Sequence, residues 1–286
     1  MADRNLCGFT LGEFTLREQI GEGVYRAEQE LLRREVIVRV LHQRDDDASQ
    51  GLTREAQLDH SYAAHVYARG VKGEDGWIAA ELVQGVMLTH WLQKHGPMPR
   101  EQFVPFFECI AEVVQAAHER GIVHGDLKPS NIMVIKGSDR LFPKLLGFGI
   151  DRLTRSDAGM DSPAYMAPEQ RRSGDTVGRA ADIYALGVIA CEALTGHVPL
   201  VAETPDGADQ HRRDVPVPPL GGDFSSDFDK ILQRALAKEP EARHGSALEL
   251  ASALRVALRA SRREQIRSAA QQWEDRRRPP WPPVGR

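Results

Sequence analysis

The chain has 286 residues, 41% of them apolar, and a formal net charge of -4 at pH 7. This length and apolar content suit one two-lobed domain or two small domains, and the charge lacks the basic footprint of a nucleic-acid-binding protein. No apolar run is long enough to span a bilayer, and the amino terminus lacks a signal-peptide pattern. Cys7, Cys109 and Cys191 are too scattered for a disulfide framework or a metal cluster. We therefore expect a cytoplasmic protein with free thiols and no membrane span.

The first part of the chain predicts a sheet. Residues 14–41 show alternation of apolar and polar residues at 14–16 and a β-branched run at 36–38, and they predict three strands. Residues 66–71 and 77–83 predict two more strands, joined by a glycine-containing turn at 72–76. Between these groups, the acidic run 45–47 ends a strand and is placed to cap a helix predicted around 52–58.

The second part of the chain predicts mainly helices. Residues after Pro99 carry apolar side chains at helical spacing and predict a long buried helix. Residues 199–222 are polar and proline-rich and predict an exposed loop, after which helical patterns resume at 228–236 and 247–258. Residues 261–286 have a local charge of +4 and end in a proline-rich run that cannot be helical. A partly disordered end and a docking peptide for a partner both remain open. The apolar positions of the long helix are Phe103, Phe106, Phe107, Ile110, Val113, Val114 and Ala117.

Residues 124–133 read His-Gly-Asp-Leu-Lys-Pro-Ser-Asn-Ile-Met. The spacing of the Asp, the Lys and the Asn resembles the catalytic loop of protein kinases. The resemblance implies that Asp126 takes the proton of a substrate hydroxyl, that Lys128 steadies the moving phosphate and that Asn131 binds magnesium. Gly125 stands where the family usually has an Arg that pairs with an activation-loop phosphate, so control by that route is not expected.

The resemblance extends over about residues 12–258, and bacterial relatives of eukaryotic Ser/Thr kinases match best around the second and third strands. It implies an α+β, two-lobed protein-kinase-like fold. The small lobe, about 12–83, is mainly antiparallel β with one helix, and the larger lobe, about 84–258, is mainly α. Residues 1–11 are then an N-terminal extension and 259–286 an Arg/Pro-rich tail.

The positions that match the family's phosphate-binding elements are altered. Gly21, Gly23 and Val24 match the glycine-rich loop, but about four residues at its tip are missing, so few N–H groups can reach the phosphates. Arg39 replaces the strand-three lysine, and its planar fork is not equivalent to an ammonium at a phosphate-positioning site. Glu55 matches the helix glutamate that pairs with this cation, although a solvent-facing helix acid is the alternative.

The positions that match the adenine site give a mixed signal. Ile37 replaces a small Ala, which either narrows the adenine slot or reflects ordinary strand packing. Glu81 and Val83 match the hinge, Ala80 the back of the pocket and Met133 a further adenine-site position. Hinge chemistry is carried by backbone groups, so these residue types do not show whether the pocket is used.

Gly147 stands where the family has the magnesium-binding Asp of Asp-Phe-Gly. Loss of a metal clamp worth several kcal/mol is expected to slow phosphoryl transfer on the order of a thousandfold or more. Asp151, four residues downstream, is a poor substitute because the chain would have to fold back.

Residues that hold the kinase frame are retained. Glu169, in Ala-Pro-Glu, is expected to pair with Arg243, and Asp182 is expected to hold the backbone of the catalytic loop. Ser162 matches the position where Ser/Thr kinases place a hydroxyl near the catalytic Asp and Lys.

The combined changes lead to one main hypothesis and two alternatives. The main hypothesis is a pseudokinase, inactive or severely impaired, that works by binding another protein, with no ATP or weak ATP and with Mg²⁺ binding lost or poor. One alternative is an atypical Ser/Thr protein kinase with weak ATP-dependent transfer. The other is a nucleotide-binding switch without turnover.

Overall fold

The computed structural model describes residues 5–42, 58–73, 75–148, 163–171, 177–199 and 224–260. Strands dominate up to residue 81, and the five described α-helices follow. The strands are β1 (Thr10–Leu11), β2 (Phe14–Gly21), β3 (Val24–Gln29), β4 (Arg34–His42), β5 (Val66–Lys72), β6 (Asp75–Glu81), β7 (Val86–Met87), β8 (Ile132–Lys136) and β9 (Leu141–Leu145). The helices are α1 (Leu88–His95), α2 (Arg100–Glu119), α3 (Arg179–Thr195), α4 (Ser226–Ala235) and α5 (247–260).

The small lobe is a six-stranded antiparallel sheet with the order β1-β2-β3-β4-β6-β5. The strands predicted within 14–41 and 66–83 are confirmed, with corrected bounds for β6: it runs from Asp75 to Glu81 rather than over 77–83, so the turn before it is shorter than the predicted 72–76. Glu81 is the last residue of β6 with a partner on β4, and its carboxylate is bound by Lys144 of β9. The chain therefore leaves the sheet there and passes to the large lobe.

The two faces of this sheet differ in character. Val36, Val38 and Val40 point into an apolar cluster in which Phe14 and Trp77 meet edge to face, with ring centroids 5.8 Å apart. Burying each such side chain stabilises the lobe by about 1.5–3 kcal/mol. The alternation of β4 turns its other residues to the opposite face. This opposite face, which carries Val24, Ile37, Arg39 and Ala80, is called the cleft face below.

The large lobe is organised around α3, which is buried on nearly all sides from Ala181 to Leu194. A helix that is apolar all round belongs in the centre of a fold. Gly187 lets α4 approach closely, since a Cβ there would lie 2.9 Å from the Cβ of Ala235. The long helix predicted after Pro99 is confirmed as α2, and its predicted apolar positions are buried.

A second, three-stranded sheet, β7-β8-β9, follows the small lobe and carries contacts between the lobes. The segment before β5 joins it, because Ala63 pairs with Leu145 and the Leu145 N–H donates to the carbonyl of Tyr62. No helix in the described part of the chain is long and apolar enough to cross a membrane. Several predictions fall outside the described residues: the acidic run 45–47, the helix around 52–58 apart from Leu58, Asp151, Ser162, the loop after Pro199 and the tail 261–286.

Candidate active-site cleft

The loop between α2 and β8 brings Asp126, Lys128 and Asn131 together; these three residues are called the loop triad. The Lys128 Nζ lies 2.7 Å from Asp126 Oδ2, and both side chains are about four-fifths buried. The Asn131 Nδ2 donates to the Asp126 carbonyl at 2.8 Å and to Asp126 Oδ2 at 3.1 Å. A short 3₁₀ turn, Pro129–Asn131, returns the chain so that the amide reaches the carboxylate.

Asp182, in the first turn of α3, fixes the backbone ahead of the loop triad. Its two carboxylate oxygens accept from the N–H of His124 at 2.9 Å and the N–H of Gly125 at 2.8 Å. His118 Nε2 donates to the same carboxylate at 2.8 Å. Asp182 is 1% exposed, and these bonds give buried donors the acceptor that water cannot supply.

Gly125 and Gly147 both adopt the left-handed backbone conformation, each with φ of 78°. They lie on either side of His124, whose Nε2 donates to the carbonyl of Leu146 at 2.9 Å and whose ring is 4.8 Å from that of Phe148. A side chain in the left-handed region costs roughly 1–2 kcal/mol, which glycine avoids. Gly125 and Gly147 adopt this conformation without that cost, and they stand where the family pattern has an Arg and an Asp.

A buried ion pair anchors residues 163–171 to the lobe. The two terminal guanidinium nitrogens of Arg243, Nη1 and Nη2, donate to the carboxylate of Glu169 at 2.6 and 2.7 Å. The Arg243 side chain is fully buried. Its remaining donors reach the carbonyls of Ala180, Ala237 and Lys238. Because every direction of the guanidinium fork is used, this pair sets the position of the segment.

Two further contacts hold the same segment. The Gln170 side chain donates to the carbonyl of Gly125 at 2.7 Å and accepts from the N–H of Ala167 at 2.8 Å. The Tyr165 hydroxyl donates to the Glu192 carboxylate. Burial raises the pKa of Glu192, opposed by the Tyr165 hydrogen bond, and burial also raises the pKa of Tyr165.

The glycine-rich turn is as short as an antiparallel hairpin allows. Gly21 pairs with Val24, so only Glu22 and Gly23 form the turn between β2 and β3. Gly23 has φ of 63° and its carbonyl accepts from the N–H of Val40 at 2.7 Å. A Cβ at Gly23 would lie 2.9 Å from the Val40 carbonyl oxygen, so the turn is packed against the sheet end. No loop extends from it over the cleft face.

The cleft face leads directly to the hinge. Ile37 and Ala80 are opposite each other on β4 and β6, and Val24 is opposite Arg39. Arg39 is half-buried and makes an interaction of its own, while Glu55, its expected partner, lies outside the described residues.

Glu81 connects the hinge to the large lobe. The Lys144 Nζ lies 2.6 Å from the Glu81 carboxylate, which also accepts from the N–H of His65 at 3.1 Å. Val83 is half-buried, and neither its N–H nor its carbonyl has a hydrogen-bond partner among the described residues. Met133 is 8% exposed and pairs with Met87 across β7 and β8, and its Cε would lie 3.4 Å from a Cβ at Gly85, two residues after Val83.

The described residues do not fit a magnesium ion bound to a triphosphate. A hard cation of this kind needs carboxylate or carbonyl oxygens at several corners of an octahedron. Gly147 has no side chain to offer, and the described residues hold no cluster of three acidic, His or Cys side chains that suits a metal. The two-residue turn likewise removes the N–H groups that would cradle phosphates.

Comparison with known proteins agrees with this architecture. A model of the protein kinase domain matches residues 14–254. The chain belongs to the protein kinase family. It is 34% identical over 271 residues to the serine/threonine-protein kinase PknB of Mycobacterium leprae, covering 87% of this chain and 42% of that relative.

Two other bacterial relatives show similar coverage. The chain is 33% identical over 275 residues to the serine/threonine-protein kinase Pkn1 of Myxococcus xanthus, covering 88% of this chain and 39% of that relative. It is 32% identical over 257 residues to a probable serine/threonine-protein kinase of Clostridium acetobutylicum, covering 83% of this chain and 38% of that relative. The chain thus spans well under half the length of these kinase-family relatives.

Some contacts in the cleft were not predicted from the sequence. The Lys144–Glu81 pair joins residues 63 positions apart, and the Gln170–Gly125 bond joins residues 45 positions apart. Lys144 precedes the buried Leu145 on β9, but a five-residue strand that contains Pro143 carries too little periodicity to predict this pair. Nothing in the sequence pattern pairs Gln170 with Gly125.

Proposed function

We propose that this chain is a serine/threonine-kinase-like domain in which phosphoryl transfer is absent or severely impaired, and that it acts as a regulatory or scaffolding module by binding another protein. The observation that carries the proposal is Gly147, which holds the left-handed conformation and has no carboxylate to bring a metal to Asn131. The shortened β2–β3 turn and Arg39 support it, because they alter the same phosphate end of the cleft.

The retained frame supports the protein-binding part of the proposal. The Arg243–Glu169 pair and the Asp182 hydrogen bonds keep residues 163–171 and the loop triad in fixed positions. A large lobe whose segments are held by buried bonds changes little in shape on binding, which suits a platform for a partner protein.

The experiment is a phosphoryl-transfer assay with labelled ATP, Mg²⁺ and generic protein acceptors, comparing the wild type with Asp126→Asn. The proposal predicts incorporation at or near background in both. Robust incorporation by the wild type that disappears in Asp126→Asn would overturn the proposal.

The assembled loop triad favours one second candidate, an atypical Ser/Thr kinase with weak transfer. The double variant Gly147→Asp with Arg39→Lys separates the two functions. An impaired kinase gains activity when the metal carboxylate and the lysine return. The main proposal predicts no gain, since the hairpin turn still lacks its phosphate-binding tip.

A further inference from the structure

A groove outside the cleft lies on the large lobe between α2 and α5 and has a volume of about 330 Å³. It is called the α2–α5 groove below. Sites for small ligands begin near this volume, at about 300 Å³, so the groove can take one or two side chains of a peptide but not a folded surface. Its lining combines two carboxylates, a guanidinium, a hydroxyl and two apolar side chains: Glu108, Glu112, Arg255, Ser252, Leu248 and Ala251.

The lining of the groove has a net negative charge. Glu108 and Glu112 are four residues apart on α2, so they lie on the same side of the helix. The Arg255 Nη1 lies 3.3 Å from Glu108 Oε1 and offsets that carboxylate. Glu112 is exposed and forms no ion pair within the part of the chain that the structure describes. One carboxylate is therefore left to attract a cationic ligand.

The apolar side of the groove continues along α5. Leu248 is 44% exposed and Val256 is 61% exposed, although both are large apolar residues. Positions 248, 252 and 256 are four residues apart, so they follow one another on one face of the helix. This exposed stripe leads from the groove toward residue 260, after which the tail 261–286 begins.

The composition of the tail is complementary to the groove. Residues 261–286 hold seven Arg and three acidic residues, a local charge of +4. Three of the Arg are consecutive, at 276–278, and Trp281 follows within a run of prolines. A guanidinium binds a carboxylate through two parallel hydrogen bonds, and a Trp ring adds a large apolar surface. Proline fixes φ, so such a segment loses less conformational entropy when it binds.

The tail is long enough to return to the groove. A helix rises about 1.5 Å per residue, which places positions 248–255 about 8–18 Å back along α5 from residue 260. The stretch from 260 to 276 spans up to about 50 Å when extended. A tethered segment has a local concentration of about 1 mM, so a dissociation constant of about 0.1 mM would keep it docked roughly ten times as often as free.

From the charge, the exposed apolar stripe and the reach, we propose that the tail docks onto the α2–α5 groove of its own chain. The three Arg of 276–278 pair with the carboxylates of Glu108 and Glu112, and Trp281 lies against Leu248. Docking covers this surface of the large lobe, so a partner protein that binds the groove or the tail competes with it. The docking does not depend on the proposed loss of phosphoryl transfer.

The test is limited proteolysis of the full chain with trypsin, which cleaves after Arg276 and Arg277 when the tail is released. Mass spectrometry follows this cleavage at early times, and a synthetic peptide of residues 261–286 gives the rate for the free sequence. When docking and release are fast relative to cleavage, the rate follows the population of the free tail. We expect the full chain to be cleaved about tenfold more slowly than the peptide. Equal rates would overturn the proposal.

A charge variant localises the contact. Glu108→Gln with Glu112→Gln removes both carboxylates and leaves the Arg255 guanidinium to repel the tail, so the protection should fall to about twofold or less. Glu119→Gln changes an exposed carboxylate of α2 outside the groove lining and should keep the full protection. Full protection in the double variant would show that the tail docks elsewhere and would contradict the proposal.

An apolar variant tests the same placement independently. Leu248→Ser removes the exposed apolar side chain of the groove, and the protection should fall by about threefold or more. Leu31→Ser is the matched control, because Leu31 is 87% exposed and lies in the small lobe. No change in Leu248→Ser would contradict the contact with Trp281.

Protein concentration identifies whose tail occupies the groove. Docking within one chain is unimolecular, so the protection should stay constant over a roughly hundredfold range of concentration. Protection that grows with concentration would assign the occupant to a second copy of the chain and overturn the proposal. Trypsin reads only the tail, so failure of the docking leaves the proposed loss of phosphoryl transfer standing, and the reverse also holds.

Discussion

The buried Arg243–Glu169 pair yields a prediction whose magnitude follows from the structure. The Arg243 side chain is fully buried and the Glu169 side chain is 11% exposed, with nitrogen to oxygen distances of 2.6 and 2.7 Å. Glu169→Gln keeps the shape and one acceptor but leaves the guanidinium charge uncompensated. Breaking a buried pair in this way typically costs about 3–5 kcal/mol. Since three backbone carbonyls still accept from Arg243, we expect a loss near the lower end, about 3 kcal/mol.

The assay is urea unfolding followed by circular dichroism, with the free energy of unfolding taken from the transition midpoint and slope. Asp227→Asn is the matched control, because it breaks an ion pair of 2.9 Å whose side chains are 71% and 75% exposed. That control should change the free energy by less than about 0.5 kcal/mol. The double variant Glu169→Leu with Arg243→Met removes both charges and should recover part of the loss, because the carbonyls of Ala180, Ala237 and Lys238 then lose their donors. A loss below about 1 kcal/mol in Glu169→Gln would refute the reasoning that this pair anchors the segment.

Gly147→Ala should lower the free energy of unfolding by about 1–2 kcal/mol and Gly147→Asp by less, because Asp tolerates the left-handed region better; equal losses by urea titration would contradict this. Asp182→Ala removes the acceptor of two backbone N–H groups and should cost about 1–3 kcal/mol for each, seen as a lower thermal midpoint; an unchanged midpoint would argue against the anchoring role. Burial raises the pKa of Glu192 above its ordinary 4.5, so the folded protein holds a proton that the unfolded chain releases. The free energy of unfolding should therefore fall as pH rises from 4.5 toward the raised pKa, and Glu192→Gln should flatten that decline in urea titrations at several pH values. Burial also raises the pKa of the Cys191 thiol to about 11, so a thiol reagent at pH 8 should modify the exposed Cys7 first; similar rates would contradict the burial.

Local patterns predicted the elements of the fold well. The period-2 runs gave the strands of the small lobe, and the 3.6-residue spacing after Pro99 gave α2. The short strands β7, β8 and β9 were not predicted. Two-residue and five-residue strands beside a loop motif carry little periodicity, and β9 includes Pro143, which usually argues against a strand.

The site was predicted as far as family motifs reach. Motif spacing placed Asp126, Lys128 and Asn131 in one loop, which is where the structure brings them together. The left-handed conformation of Gly147 could not be read from its identity alone, since glycine adopts either hand.

Contacts that cross the fold were not predictable in the same way. The ion pair of Glu81 with Lys144 depends on how the two lobes meet, which no local pattern encodes. The roles in binding and catalysis that the family resemblance implies for the predicted site residues stay predictions.

The most direct measurement of the central claim is thermal unfolding of the full chain in millimolar ATP, with Mg²⁺ and with a chelator. A ligand that binds only the folded state at a hundred times its dissociation constant adds about 2.7 kcal/mol, which raises the midpoint of a protein of this size by several degrees. We propose that Gly147 and the two-residue turn leave no place for a metal-bound triphosphate, and the midpoints in Mg²⁺ and in chelator should therefore agree. A midpoint several degrees higher with Mg²⁺ than with chelator would contradict the account and favour the hypothesis of an active kinase.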